Sequence, residues 1–228
     1  MNYWIKRSVL PCGIVCLMSM ALCGCGREKK EAVTVQPELV IGSDDYEPYN
    51  YQNENGDYAG VDVELAKEAC RRIGYSTVFK QMQWEDNDIY LDNGVVDCAW
   101  GSFSMDGRED DYIWVGPYMY SREVVMVRTD SDIYKLDDLA GKNVAVQSST
   151  QPERIFLGQG YDIIPKVKNV YSFVEMNELF AALRKGYVDA CAGHEIVMRE
   201  YLRQSGQKYR ILDEEVIDSK LGVAFSKN

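Results

Sequence analysis

The chain is expected to fold as an α/β protein of two similar lobes, each built on a largely parallel sheet flanked by helices. Two observations lead there. From residue 38 onward strand-like segments alternate with helix-like ones, the pattern of βαβ units. In addition, "LDNGVVDCAWGS" (91–102) and "LRKGYVDACAGH" (183–194) share Leu-x-x-Gly-x-Val-Asp. Each reads as a helix end, a glycine cap and a strand leading to small polar residues. Two lobes of roughly 90 residues, an ordinary size for a compact unit, explain that recurrence. Open α/β sheets bind ligands at the carboxyl ends of their strands. Two facing lobes therefore put "WGSFS" on one wall of a cleft and "AGHE" on the other.

The elements follow in order. "LVIGSDD" reads as a strand running into a turn. "VDVELAKEACRRIG" places Val61, Leu65, Ala69 and Ile73 on one helical face, with Asp62 as N-cap and Gly74 as C-cap. "STVFKQM" is the next strand, "WEDNDIYLDNG" a helix and "VVDCAWG" a strand. The second half repeats the scheme. "LAGKNVAVQSST" is strand into turn, and "QPERIFLGQG" is a short helix with Pro152 in its first turn. "SFVEMNELFAALRKG" opens with a Ser172-x-x-Glu175 capping box and carries Met176, Leu179, Phe180 and Leu183 on one face. The apolar strand in "GYVDACAGHE" then ends on the chain's single histidine, His194, followed directly by Glu195.

Composition narrows the function. The 228 residues carry a formal net charge of −11, which argues against nucleic acid and against an anionic membrane surface as a charge-driven partner. Lys6 and Arg7 precede the apolar run "SVLPCGIVCLMSMALCGC", a basic n-region and a core too short to span a membrane comfortably. Residues 1–24 are therefore expected to be a signal peptide. The end of that run resembles a bacterial lipobox, with Cys25 as the lipidated first residue of the mature protein. Residues 25–37 are polar and aperiodic, a tether between lipid and domain. Cys70, Cys98 and Cys191 remain in the body, none spaced as a CxxC pair and each among apolar neighbours, so buried free thiols are expected. With one histidine and scattered thiols, no metal site or cofactor is expected.

"WGSFSMDGRED" offers hydroxyls at Ser102 and Ser104 and then Arg108, whose fork can bind a carboxylate through two parallel bonds. A solvated surface turn would carry the same residues. In "QSSTQPE", Ser149 or Thr150 can cap the helix that begins near Pro152. The helix start is suited to an anion, or is simply capped. Arg108 and that helix serve one anion only if two lobes close on it.

These segments together resemble a known family, the polar-amino-acid class (family 3) of solute-binding proteins of ABC transporters. The resemblance covers about residues 38 to 225. It rests on the order and spacing of "IGSDDYEPYNYQNENGDYAGVDVELAKEA", "WEDNDIYLDNGVVDCAWGSFSMDGRED", "GPYMYSREVVMVR", "LAGKNVAVQSSTQPE" and "ALRKGYVDACAGHE". It implies the two-lobed periplasmic-binding-protein fold of type II, with residues 38–121 plus 213–228 as one lobe and 122–212 as the other. The crossings would lie near Tyr120–Glu123 and 211–214.

By the same resemblance Arg108 and Ser104 hold a ligand α-carboxylate, assisted by the backbone around Thr150. Glu195 pairs with the α-ammonium, helped by Ser102. Tyr46 and Trp84 sandwich the ligand side chain, and Asp44 lies near its end. Three departures from the family's pattern stand out. "SMDGR" is one residue shorter than usual, Glu47 stands where proline is common, and Trp100 is bulkier than the usual small residue. The family also usually continues with one or two helices beyond "VAFSKN", which would cover apolar surface on the first lobe.

The function implied is a lipid-anchored, extracytoplasmic binding protein that captures an amino acid by lobe closure and delivers it to an ABC permease, with no catalytic residue. Two alternatives share the scaffold: a ligand-sensing input domain, and a cyclohexadienyl dehydratase-like enzyme with a cleft carboxylate as general acid.

Overall fold

A computed structural model describes residues 36–158, 163–206 and 208–228. The expected signal peptide, Cys25 and the tether to residue 35 lie outside the described residues. The first half runs β1 (Glu38–Ser43), a small hairpin of β2 (Tyr51–Gln52) and β3 (Tyr58–Ala59), α1 (Val61–Ile73) and β4 (Ser76–Gln81). A 3-10 turn then leads to α2 (Asn87–Asp92), β5 (Cys98–Ser104) and the long β6 (Ile113–Arg128). The second half continues with β7 (Asn143–Gln147), α3 (Gln151–Phe156), β8 (Asn169–Phe173), α4 (Met176–Arg184), β9 (Ala190–His194), α5 (Glu195–Ser205) and the long β10 (Tyr209–Phe225).

Eight strands form one mixed sheet in the order β4-β1-β5-β10-β6-β9-β7-β8. Reading inward from either edge, the two ends match. β4, β1 and β5 are parallel, as are β8, β7 and β9, and each trio meets a long antiparallel strand, β10 or β6. The recurring motif accounts for this symmetry. Gly94 (φ 63°) and Gly186 (φ 73°) take the left-handed conformation that stops a helix. The motif aspartates then tie the strand starts together. Asp97 accepts the Val40 amide at 2.7 Å, and Asp189 accepts the Asn143 amide at 2.8 Å.

β6 and β10 run through both halves, and their ladder sets Tyr120–Glu123 opposite Lys220–Ile217. The register shifts on the Ile217 side of this stretch and again between Leu221 and Val223. The strand facing the crossing is thus later in the chain than 211–214. Apolar cores lie on either side, and a further cluster joins Tyr46 and Tyr49 of the first half to Leu179 and Met198 of the second. Met82, Leu91, Val96 and Phe103 pack in the first half, and Val125, Val144, Ile155 and Ala190 in the second.

Two local expectations are corrected. Helix α1 buries Asp62, Val63, Ala66 and Cys70, whereas Val61, Leu65 and Ile73 are exposed. Its start is Gly60, not Asp62, because the Asp62 carboxylate is drawn inward to accept the Ser102 amide at 2.7 Å. The Ser172–Glu175 capping box does not form. Ser172 belongs to β8, and Glu175 stands at the N-cap of α4 without a side-chain cap. The apolar face of α4 is as expected, with Met176, Leu179, Phe180 and Leu183 buried. Cys70, Cys98 and Cys191 are free and buried.

Candidate functional site

The carboxyl ends of β1, β5, β7 and β9 converge on a narrow cavity of about 20 Å³, room for roughly one water molecule. Its first wall is the end of β5. Gly101 is required there, because a Cβ would stand 2.3 Å from the Ser43 hydroxyl. Ser102 follows with φ 45°, a backbone state costly for a side-chain-bearing residue. The Asp62 carboxylate on its amide holds it. Ser104 ends the strand, and the shortened turn after it still delivers Arg108 to the cavity.

The guanidinium of Arg108 is partly buried and reaches two carbonyls, Ser149 at 2.8 Å and Ser104 at 3.3 Å. Its Cζ lies 5.2 Å from the centre of the Phe103 ring. Among the described residues it forms no ion pair within 4.0 Å. Burial, with Arg154 adding to it, holds its pKa below the ordinary arginine value.

The second wall comes from the other half. Gln147 ends β7, and its amide donates to Asp44 at 2.7 Å, across the cavity from one half to the other. Thr150 lines the cavity, but its hydroxyl donates to the Gln147 carbonyl at 2.6 Å instead of capping α3. Ser149 does not line it. Its left-handed backbone (φ 58°) turns the carbonyl onto Arg108 and gives the amide to Glu153 at 2.7 Å. The helix start is thus less open to an anion than the sequence suggested. Tyr46 and Trp84 are both buried at the cavity, Trp84 edge-on to Phe103 at 4.7 Å.

Glu195 is not among the residues that line the cavity. It starts α5, and its carboxylate turns outward to Arg199 at 2.5 Å and Arg122 at 3.3 Å. The residue before it lines the cavity instead: His194 closes β9, and its ring packs against Tyr46 and Tyr49. Directly opposite His194 in the ladder is Glu123. Its Oε1 lies 3.0 Å from His194 Nδ1 and accepts the Ser219 hydroxyl at 3.1 Å. Ser121 Oγ is also 3.0 Å from Nδ1, and it accepts the Tyr49 hydroxyl at 3.2 Å.

Burial dominates the electrostatics. It pushes Asp44 up to about 7, against the Gln147 bond that favours the ionised form. It pushes Glu123 up to about 8, with the Ser219 bond and Arg108 opposing, and lowers His194 to about 4. Glu123, Gln147 and Asp62 were not singled out from sequence as site residues. Glu123 left one usable signal, a carboxylate at the head of the apolar run "VVMV".

Two half-sheets sharing a pair of long strands, with a polar cavity where the parallel strands end, define a two-lobed binding fold of type II. The chain belongs to the bacterial extracellular solute-binding proteins, family 3, whose model matches residues 39–166. It is 25% identical over 209 residues to the L-cystine-binding protein TcyA of Bacillus subtilis, covering 86% of this chain and 75% of that protein. It is 26% identical over 238 residues to the arginine-binding extracellular protein ArtP of the same organism, covering 100% and 88%. Among solved structures, the arginine-bound truncated ArgBP of T. maritima superposes with a TM-score of 0.74 at 28% identity, covering 83% of this chain and 88% of that one. No helix among the described residues is long and apolar enough to cross a membrane.

Proposed function

We propose that this chain captures a free amino acid between its lobes and delivers it to an ABC permease, held at the outer face of the membrane by a lipid on Cys25. The observation that carries capture is Arg108, a partly buried guanidinium bonded to carbonyls, with no carboxylate in ion-pair range among the described residues. A buried charge costs several kcal/mol unless an opposite charge meets it. A ligand α-carboxylate supplies that charge, with Ser104 and the backbone at Thr150 beside it. At the other end Ser102 and His194 receive the ammonium, Tyr46 and Trp84 flank the side chain, and Asp44 lies near the end of that side chain. The ligands named for TcyA and ArgBP are also amino acids, which supports the reading.

The lobes close by bending the β6–β10 pair near Ser121 and Ser219, since only these two strands are shared. Ligand is then enclosed without breaking either core. The experiment is a thermal-shift screen of the full chain against the twenty standard L-amino acids and L-cystine. At least one is expected to raise the melting temperature in a concentration-dependent way. No shift with any of them refutes amino-acid capture. For the anchor, Cys25→Ser is expected to release the protein from membranes with the fold intact, and retention would refute it.

A further inference from the structure

We propose that this site exchanges a proton for the ligand's ammonium group: the Glu123–His194 pair holds one proton in the empty cleft and releases it to solvent as the ammonium docks. The proposal rests on the amino-acid reading above and names the group that balances the ligand's positive end.

Glu123 is fully buried and sits behind the cavity wall rather than on it. Its Oε1 is shared by His194 Nδ1 and the Ser219 hydroxyl, and its Oε2 has no hydrogen-bond partner. One hydroxyl and an imidazole do not neutralise an ionised carboxylate in a dry site. The charged groups packed around the pair do not do so either. From the loop after β5, Arg108 favours the anion, but Asp106 opposes it. From the segment after β1, Tyr46 and Tyr49 face the pair as neutral phenols, their pKa values raised by burial. Asp44 lies on the same side and is itself held up by burial. The low-energy state of the empty site is therefore a neutral pair carrying one shared proton, on Glu123 or on His194 Nδ1.

The zwitterion changes this count. Its carboxylate is matched by Arg108, which was unpaired. Its ammonium arrives at the His194 corner, where the pair is neutral. Losing the shared proton leaves the pair with one negative charge, which balances the ammonium. The ammonium keeps its three protons, and the proton released is the one from the pair. His194 then serves as the acceptor at the cavity wall. Glu123, at its Nδ1, is a positioning residue that fixes its tautomer and supplies its charge.

Asp44 is the competing source of a proton, but its carboxylate already accepts the Gln147 amide. That contact opposes the burial that raises its pKa, and the Asp44→Asn variant decides between the two sources.

Calorimetric titration separates the two. The full chain is titrated at pH 7 with the panel amino acid giving the largest thermal shift, in buffers of differing ionisation enthalpy. The apparent enthalpy is expected to vary with buffer, with a slope of about one proton released per ligand bound. Affinity should rise by up to about tenfold per pH unit between pH 6 and 7.5. The des-amino analogue, with the same carboxylate, should release none. Glu123→Gln should abolish the release, and Asp44→Asn should leave it.

Binding with no buffer dependence overturns the proposal while leaving the amino-acid reading standing. Release that survives Glu123→Gln, or vanishes in Asp44→Asn, also overturns it. Because the buffer series on the unaltered protein needs no variant, the proposal is tested even if Glu123→Gln does not fold. Absence of binding by every amino acid overturns both readings.

Discussion

Replacing Arg108 by lysine separates charge from geometry at one position. The arginine fork spans two carbonyls, Ser149 at 2.8 Å and Ser104 at 3.3 Å, and lies over the Phe103 ring. Lysine keeps the charge but is a point donor that cannot hold both carbonyls and a bidentate carboxylate. Removing one partner of a buried, hydrogen-bonded charge pair costs about 2–5 kcal/mol. Lysine should fall near the lower end, roughly thirtyfold in Kd, and Arg108→Met near the upper end, roughly several thousandfold. Stability should move the other way. Without ligand the partly buried guanidinium lacks a carboxylate, so Arg108→Met should leave the melting temperature unchanged or raise it, as at other residues retained for function. Calorimetry with the best panel ligand and a thermal melt of the ligand-free protein read the two effects. If either variant binds within about twofold of the parent, where a lost pair predicts tens-fold or more, the ligand carboxylate does not meet Arg108. A ligand-free melt of Arg108→Met lower by several degrees would make the residue structural.

Three further outcomes follow from the same geometry. Asp97→Ala and Asp189→Ala each remove a carboxylate from a strand amide and should cost about 1–3 kcal/mol apiece by denaturant titration. A negligible effect at either position would break the equivalence of the two halves. Glu195→Gln should leave affinity within about twofold and cost about 1 kcal/mol or less, because its partners are the exposed Arg199 and Arg122. A tens-fold loss of affinity would return Glu195 to the site.

The third outcome is a pH dependence of stability. The folded-state pKa values of Glu123 and Asp44 lie above their unfolded values, at about 8 and about 7. The folded state therefore holds more protons, and ligand-free stability should fall as pH rises toward 8. His194, lowered to about 4, acts in the opposite direction only between about 4 and 6.5. The fall should thus be clearest from pH 6.5 to 8, on the order of 1 kcal/mol, and smaller in Glu123→Gln. Stability that rises over that range would contradict the buried-proton account.

The α/β class, the order of strands and helices, and most of the cavity residues were legible because they depend on local chemistry. Gly94 and Gly186 stop helices, Asp97 and Asp189 follow at the same offset, and apolar runs mark β5 and β9. Arg108, Ser104, Tyr46, Trp84 and Asp44 all meet at the cavity as the resemblance implied. Long-range choices were not legible. A strand end places neighbouring residues on opposite sides, so a one-residue ambiguity decided between His194 and Glu195. The ladder with β6, which sets Glu123 against His194, was not legible either. The same holds for α1. Asp62 reads as a helix cap until its partner, the Ser102 amide forty residues away, is known. The full length of β6 and β10 was hidden because polar residues at the crossing interrupt the apolar pattern.

The central claim is that one zwitterion lies between Arg108 and His194. A crystal structure of the protein grown with the best panel amino acid tests it most directly. The account predicts the ligand α-carboxylate within hydrogen-bond reach of both Arg108 terminal nitrogens, the ammonium at the His194 and Ser102 corner, and the side chain between Tyr46 and Trp84. A ligand seated elsewhere, or one whose ammonium is bonded to Glu195 with His194 turned away, would contradict it.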